Sequence, residues 1–195
     1  MTGHRCRIFA LAVVLSVAGL VTGCATSPDG LENDPFQPMN RGFHNINSGL
    51  DLIIKPVAEG YVAITPTGLR SSISNFFDNA AYPNVILNDF LQGKFSQGFS
   101  DIGRFLVNTT IGIGGLFDPA TDMGLVEHDE DLGQTFGVWG AGEGAYLELP
   151  FFGPNSIRDV GNIPLSAYTD LIFYIGEASI TIPLSILKAI DTRAQ

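Results

Sequence analysis

The apolar residues of this chain are spread along its length, and none of the runs after residue 24 is long. The longest apolar tract, Leu171–Ile190, is interrupted by Glu177, Pro183 and Lys188. A helix that crosses a bilayer needs about 20 consecutive apolar residues, so this tract predicts a buried helix or one lying in the plane of a membrane. Hydrophobic residues nevertheless make up 45% of the chain and charged residues only 15%. We therefore expect short amphipathic helices, in a composition that suits a protein working against lipid.

Charge and size exclude several classes of protein. The 195 residues correspond to one domain that is long enough to bury a hydrophobic core. The apolar content excludes a disordered chain. The formal net charge of −10, from 10 basic and 20 acidic residues, argues against a nucleic-acid partner, which selects clustered Lys and Arg. Only 2 cysteines are present, so the chain is not a disulfide scaffold.

The N-terminus has the pattern of a bacterial lipoprotein signal. Arg5 and Arg7 precede the uncharged run Ile8–Val21, which suits a signal h-region, and Val21-Thr22-Gly23-Cys24 is similar to a lipobox. We predict a signal peptide at residues 1–23, a lipid-anchored tether at 24–32 with its lipid on Cys24, and one domain at 33–195. An ordinary secretory signal or a residual membrane anchor are the alternatives. Ala25, in place of an Asp, favours the outer membrane over the inner one.

Helical periodicity dominates the domain. Asp34-Pro35 predicts a helix start, and a stripe at three- and four-residue spacing follows as far as Pro56, where a kink or an end is expected. Asparagines flank this stripe. Further helices are predicted over 66–79, 83–92, 94–110, 155–161, 164–175 and 177–190. The segments Gln134–Trp139 and Tyr146–Leu149 look extended, so we expect a small hairpin or irregular loop around Gly140–Gly144.

No catalytic or metal-binding pattern is present. His44 and His128 lack the spacing of metal ligands, and Gly98–Ile102 lacks the last glycine of a nucleophile elbow. Gly140–Ala145 matches a dinucleotide-binding pattern in form, but an extended segment rather than a helix follows it. We expect neither an enzyme nor any cofactor other than the covalent lipid on Cys24.

Several short motifs occur in a consistent order. They are Asn33–Phe36, Asn40–Phe43, Lys55–Ala58, Ser74–Phe77, Leu91–Gly93, Arg104–Thr109, Gly112–Asp118, Gly133–Gly140, Tyr146–Pro154 and Arg158-Asp159. Together they resemble the MlaA (VacJ) family of outer-membrane lipoproteins. Two departures stand out: Ala145 occupies a position that is Pro in the family pattern, and family chains usually continue beyond the equivalent of Gln195.

The resemblance implies a mostly helical, ring-like domain embedded in the outer membrane of a Gram-negative bacterium around an amphipathic channel, with its lipid anchor facing the periplasm. Such proteins remove misplaced phospholipids from the outer leaflet and so maintain lipid asymmetry. They pass the lipids to a periplasmic carrier that feeds an inner-membrane ABC transporter, and they associate with trimeric porins. A scaffold lipoprotein that holds a porin without moving lipid is the main alternative. A phospholipid-cleaving enzyme is a second one.

Two sets of residues are candidates for lipid handling. Arg41, Arg104 and Arg158 are expected to contact phospholipid headgroups, because Arg pairs bidentately with phosphate; structural ion pairing is the alternative for each. Gly140, Gly142 and Gly144 are expected to form a mobile loop that gates lipid passage, between the boundary-seeking aromatic residues Trp139 and Tyr146. A tight turn that needs glycine for geometry alone is the alternative.

Overall fold

A computed structural model describes residues 34–195, of which Phe36–Gln195 form one compact unit. Its helices are α1 (Gln37–Ile64), α2 (Thr67–Leu91), α3 (Phe95–Thr110), α4 (Pro119–Asp122), α5 (Leu132–Val138), α6 (Asn162–Thr169) and α7 (Ala178–Ala194). Short 3₁₀ helices occupy Asp159–Gly161 and Leu171–Tyr174. The antiparallel strands β1 (Tyr146–Leu149) and β2 (Gly153–Ser156) pair Tyr146 with Ser156 and Leu149 with Gly153. The mostly helical fold expected from the sequence is confirmed.

Two internal prolines do not end their helices. Helix α1 starts at Gln37, slightly later than predicted, and continues past Pro56 to Ile64. It ends there because Thr65 precedes a proline and takes an extended conformation, with φ −101° and ψ 120°. The two helices predicted over 66–79 and 83–92 are one helix, α2, with Pro83 inside it. Packing on both sides of Pro83 outweighs the backbone hydrogen bond that this proline removes.

The region predicted to be extended before the glycine loop is helical instead. Residues Leu132–Val138 form α5, which starts because the Asp131 carboxylate accepts a hydrogen bond from the Gln134 N–H at 2.6 Å. The hairpin lies entirely after the glycine loop, as β1 and β2. The helix predicted over 155–161 is therefore wrong in its first part, because Asn155 and Ser156 belong to β2.

The last predicted helices also have corrected boundaries. The helix expected over 164–175 is split into α6 and the 3₁₀ helix Leu171–Tyr174, because Asp170 is extended and its side chain accepts a hydrogen bond from the Ile172 N–H. Helix α7 begins at Ala178 and runs through Pro183 to Ala194. The predicted boundaries at 23/24 and 32/33 lie outside the described residues.

The apolar core is small. Phe77 and Ala80 of α2 pack with Ile172 where α2, the second 3₁₀ helix and α7 meet, and partly buried residues of the same elements surround them. No helix within residues 34–195 combines the length and the hydropathy needed to cross a membrane.

Candidate functional site: a polar interior

Polar side chains occupy much of the interior, and large apolar ones occupy the surface. The buried polar and charged residues of the described part outnumber the buried apolar ones; they are Asn40, Asn47, Asn79, Asn84, Asn88, Asp89, Asp101, Arg104, Asn108, Glu130, Thr135, Glu148 and Asp191. On the outside, Leu52 is 80% exposed, Ile64 82% and Phe151 68%. In a water-soluble domain the fully buried residues are mostly apolar. The distribution found here is the reverse.

Helix α1 shows this inversion within one element. The predicted apolar stripe is present, but Met39, Ile46 and Ile53 point outward, while Asn40 and Asn47 are buried. These two asparagines are seven positions apart, so they lie on the same face of the helix. The stripe is therefore an outer apolar surface, and the asparagines that flank it form the inner contact.

The buried asparagines of α1 hold the free edge of β1. Asn40 donates from Nδ2 to the Tyr146 carbonyl at 3.1 Å and accepts at Oδ1 from the Glu148 N–H at 2.9 Å. Asn47 donates to the Leu149 carbonyl at 2.9 Å and accepts from the Phe151 N–H at 2.9 Å. Asn40 thus makes the two backbone hydrogen bonds that a neighbouring strand would make to β1. Asn47 makes its two at the end of β1 and in the turn that follows it. The hairpin is fixed to α1 at two points.

Glu148 is the charged member of this contact. It is 4% exposed, it accepts hydrogen bonds from the Tyr146 hydroxyl and from Asn47 Nδ2, and His44 Nδ1 lies 3.7 Å from it. The hydrogen bonds from Tyr146 and Asn47 keep the pKa of Glu148 below its usual value of 4.5, although burial acts in the other direction. The carboxylate is therefore a permanent anion between α1 and the hairpin at neutral pH.

A second polar centre is organised by Arg104 of α3. This guanidinium, 4% exposed, donates to Asp118 Oδ2 at 2.7 Å, Glu127 Oε2 at 3.0 Å, Thr121 Oγ1 at 2.9 Å and the Leu125 carbonyl at 2.9 Å. All four N–H groups of its two terminal nitrogens are used in these contacts. Burial alone would raise the pKa of Asp118, but hydrogen bonds from Thr121, Asn108 and Arg104 keep it below its usual value.

Around this centre a polar recess opens between α2, α3 and the segment that follows α4. Its wall is formed by Asn75, Asp78, Asn79, Tyr82, Arg104, Asn108, Asp118 and Glu127. Partial desolvation of its carboxyl group, and then the negative charges of Glu127 and Asp191, raise the pKa of Asp78, although the residue as a whole is exposed. The recess has a volume of only about 20 Å³, and it presents amides and more carboxylates than cations.

An apolar groove also uses α2, starting at Pro83, the residue after Tyr82 of the recess wall. It has a volume of about 740 Å³ and is lined by Pro83 and Leu87 of α2 together with residues of α6 and the second 3₁₀ helix. Tyr168 and Tyr174, which are 65% and 64% exposed, stand at this groove. Helix α2 thus contributes residues to both the apolar groove and the polar recess.

The structure places the three candidate arginines in different surroundings. Arg41 is exposed on α1 and makes no ion pair within residues 34–195. Arg104 is committed to the network above. Arg158 donates from Nε to Asp159 at 3.0 Å, and its Nη2 lies 3.9 Å from Glu143 of the glycine loop.

The three candidate glycines all lie in one exposed loop between α5 and β1. Gly140 has φ +92° and ends α5, with the Gly140 N–H bonded to the Gly137 carbonyl and the Ala141 N–H to the Phe136 carbonyl. Gly144 has φ +75°, and a Cβ there would lie 3.0 Å from the Ile157 Cβ. Gly142 has open space around it and no positive φ. Local geometry therefore accounts for Gly140 and Gly144, and gating stays a prediction that Gly142 tests most cleanly.

Sequence reasoning missed the buried polar residues, although one signal for them was present. Asn40 and Asn47 recur at seven-residue spacing beside an apolar stripe, as do Asp101 and Asn108 in α3. Polar residues at helical period indicate a second face as clearly as apolar ones do. Cys24 lies outside the described residues, and those residues hold no cluster of acidic, His or Cys side chains able to bind a metal ion.

The chain is 34% identical over 202 residues to the intermembrane phospholipid transport system lipoprotein MlaA of Shigella flexneri, which covers 98% of this chain and 77% of that protein. It is 36% identical to an uncharacterized protein of Rickettsia prowazekii, over 72% of this chain and 57% of the relative's length. A solved structure, described as the structural basis for maintenance of bacterial outer membrane lipid asymmetry, aligns with a TM-score of 0.71 and 32% identity over 84% of each chain.

A family model described as MlaA lipoprotein matches residues 32–195, which include the whole described domain. The helices, the hairpin and the buried polar residues all fall within this match. The chain belongs to the MlaA lipoprotein family.

Proposed function

We propose that this chain removes misplaced phospholipid from the outer leaflet of the outer membrane and passes it to a periplasmic carrier, which feeds an inner-membrane ABC transporter. It does so without cleaving the lipid. The observation that carries this proposal is the inverted distribution of side chains, with a polar interior and an apolar exterior. The curated relative in Shigella flexneri is named as an intermembrane phospholipid transport lipoprotein, which supports the same activity.

The apolar exterior supports residence in a lipid phase. Exposed large apolar side chains occur on α1, α3, the hairpin and the second 3₁₀ helix, so they are not confined to one docking patch. Scattered single apolar residues are normal on soluble proteins, but extensive apolar surface marks contact with lipid or with another protein. We place the domain in the outer membrane, beside a trimeric porin, with the lipid on Cys24 as an additional anchor facing the periplasm.

The polar recess supports transit of a headgroup. A charged headgroup is strongly disfavoured in hydrocarbon unless polar groups accompany it. The amides of Asn75 and Asn79 and the carboxylate of Asp78 offer hydrogen bonds along such a route, while the acyl chains stay against apolar surface. Carboxylates suit the ammonium of an ethanolamine headgroup.

The phosphate of the lipid headgroup is bound by arginines. Arg41 is exposed and has no acidic partner within the described residues, so its guanidinium is available to a phosphate. Nη2 of Arg158 lies 3.9 Å from Glu143, which is a loose ion pair. When the glycine loop moves Glu143 away, a phosphate can take its place at the guanidinium. Arg104 reaches a phosphate only by giving up its contacts to Asp118 or Glu127.

The test is to delete the gene in a strain of the source bacterium and to label surface phosphatidylethanolamine on intact cells with a membrane-impermeant amine reagent. The proposal predicts increased labelling and sensitivity to detergent with EDTA, both reversed by the wild-type gene. Normal labelling, with loss of porin association, would instead favour the scaffold function. Mass spectrometry of vesicle lipids after incubation with the protein should detect no lysophospholipid, and its appearance would favour the cleaving enzyme.

A further inference from the structure

The carboxyl group of Asp89, in the last turn of α2, is fully buried. No N–H group and no Ser, Thr or Tyr hydroxyl in residues 34–195 donates a hydrogen bond to either of its oxygens. Helix α3 packs closely against it, since a Cβ on Gly98 would lie 3.2 Å from the Asp89 Cβ. An ionised carboxylate is strongly disfavoured at such a position.

A second fully buried carboxyl group, that of Asp101, lies one turn along α3 from Gly98, and its interaction with Asp89 acts on the Asp89 carboxyl group. Asp101 accepts a hydrogen bond from the Tyr82 hydroxyl at 2.9 Å and contacts His128 Nδ1 at 2.9 and 3.1 Å. Two carboxyl groups hydrogen-bond to each other only when one of them carries a proton.

The pKa of Asp89 is raised to about 7, mainly by burial. The hydrogen bond with Asp101 and the negative charges of Asp101 and Glu130 act in the same direction. His128 acts in the opposite direction. The direction agrees with the geometry, because the anionic partner and the lack of donors both favour a neutral Asp89.

Other charged groups near the pair already have partners. Lys94, in the turn between α2 and α3, pairs with Glu130, whose pKa stays below its usual value because hydrogen bonds from Lys94, Gln97 and Gln92 outweigh the effect of burial. Arg104 of α3 is held by Asp118 and Glu127.

The remaining elements packed on α2 offer Asp89 no compensating cation. Helix α5 carries no titratable side chain. Lys188 and Asp191 of α7 act on Asp78, elsewhere on α2. The titratable groups of α6 and the second 3₁₀ helix are tyrosines.

We propose that Asp89 and Asp101 share one proton, and that loss of this proton releases the segment Gly124–Asp131 from α2 and α3. That segment is attached through His128, whose ring contacts Asp101 and whose backbone N–H lies 3.4 Å from the Tyr82 hydroxyl. It is also attached through Glu130 and through the contacts of Arg104 to Glu127 and to the Leu125 carbonyl. Without the proton, two adjacent buried anions repel each other, and opening the segment admits water to both. The same segment carries Glu127, which forms part of the wall of the polar recess, so opening also widens the recess.

Amide hydrogen exchange of the full-length protein, measured between pH 5 and pH 9, tests the proposal. Opening that releases one proton becomes about tenfold more favourable per pH unit until Asp89 is ionised in the closed form. After correction for the intrinsic pH dependence of exchange, the exchange rate of amides in the 124–131 segment should therefore rise about tenfold per pH unit up to about pH 7. Above that pH the corrected rate should stay constant. Asp89→Asn keeps the shape and stays neutral, so this additional gain should disappear. Asp122→Asn, an exposed change on α4, should retain it.

Identical pH profiles for wild type and Asp89→Asn, or a wild type without the additional gain, would overturn the proposal. The wild-type protein also provides a test that needs no variant. In protein carrying carbon-13 in its Asp side-chain carboxyls, one buried Asp should titrate near neutrality. Titration of every Asp near the usual value of 3.8 would refute the shared proton.

Discussion

Replacing Asn47 tests how the hairpin is held on α1. Asn47 is 8% exposed and makes three hydrogen bonds to the hairpin, to Glu148 Oε1 at 3.0 Å and to the backbone of Leu149 and Phe151 at 2.9 Å each. At a net value of about 1 kcal/mol for each bond, Asn47→Ala should lower the free energy of unfolding by about 3 kcal/mol. With a urea m value of about 2 kcal/mol/M, the unfolding midpoint should fall by about 1.5 M.

The matched control is Asn45→Ala, an exposed asparagine two positions earlier on the same helix, which should change stability by less than about 0.5 kcal/mol. The difference between Asn47→Ala and wild type should also depend on pH. Because Asn47 helps to lower the pKa of Glu148, the associated stabilisation is present above the usual value of 4.5 and is lost as pH falls through the folded-state pKa. The difference in unfolding midpoint between wild type and Asn47→Ala should therefore become smaller at acid pH. Equal midpoints for the two variants, or a gap that stays constant with pH, would refute this account of the clamp.

Three further predictions concern the other sites. Arg104→Met should cost about 3 kcal/mol in urea unfolding, because it leaves Asp118 and the other partners of a buried guanidinium unpaired, and a loss below about 1 kcal/mol would contradict the network. Gly140→Ala should cost about 1 kcal/mol because of its φ of +92°, whereas Gly142→Pro should accumulate normally and slow the removal of outer-leaflet phospholipid. If Gly142→Pro clears lipid at the wild-type rate, the loop is not a gate. Cys24→Ser should abolish labelling by a fatty-acid analogue and remove the protein from the outer-membrane fraction, and unchanged labelling would exclude the lipobox.

Most of the helices could be predicted from the sequence, because their apolar residues recur at three- and four-residue spacing. The segment 134–139 could not, since its fate depends on the Asp131 cap, which adds a local hydrogen bond that a strand pattern does not show. The interruption expected before Pro83 was wrong for a related reason, because packing along α2 outweighs one proline. Local propensity is a weak guide wherever tertiary contacts decide.

The polar interior was the part of the site least accessible to sequence reasoning. An apolar stripe indicates two faces on a helix, but it does not say which face is inside. Asn40, Asn47 and Glu148 meet across more than 100 positions of sequence, and only the fold brings them together. Asp89 and His128 likewise come together only in the fold, because their shared partner, Asp101, lies on a third element.

Photo-crosslinking in living cells tests most directly whether a phospholipid headgroup moves along the wall of the polar recess. A photoreactive amino acid at Asn75, a partly buried residue of the recess wall, should yield a covalent phospholipid adduct detectable by mass spectrometry. The same amino acid at Asp122, a polar and exposed position on α4 outside the recess, should yield none. Adducts at Asp122 but not at Asn75, or at neither position, would contradict the account.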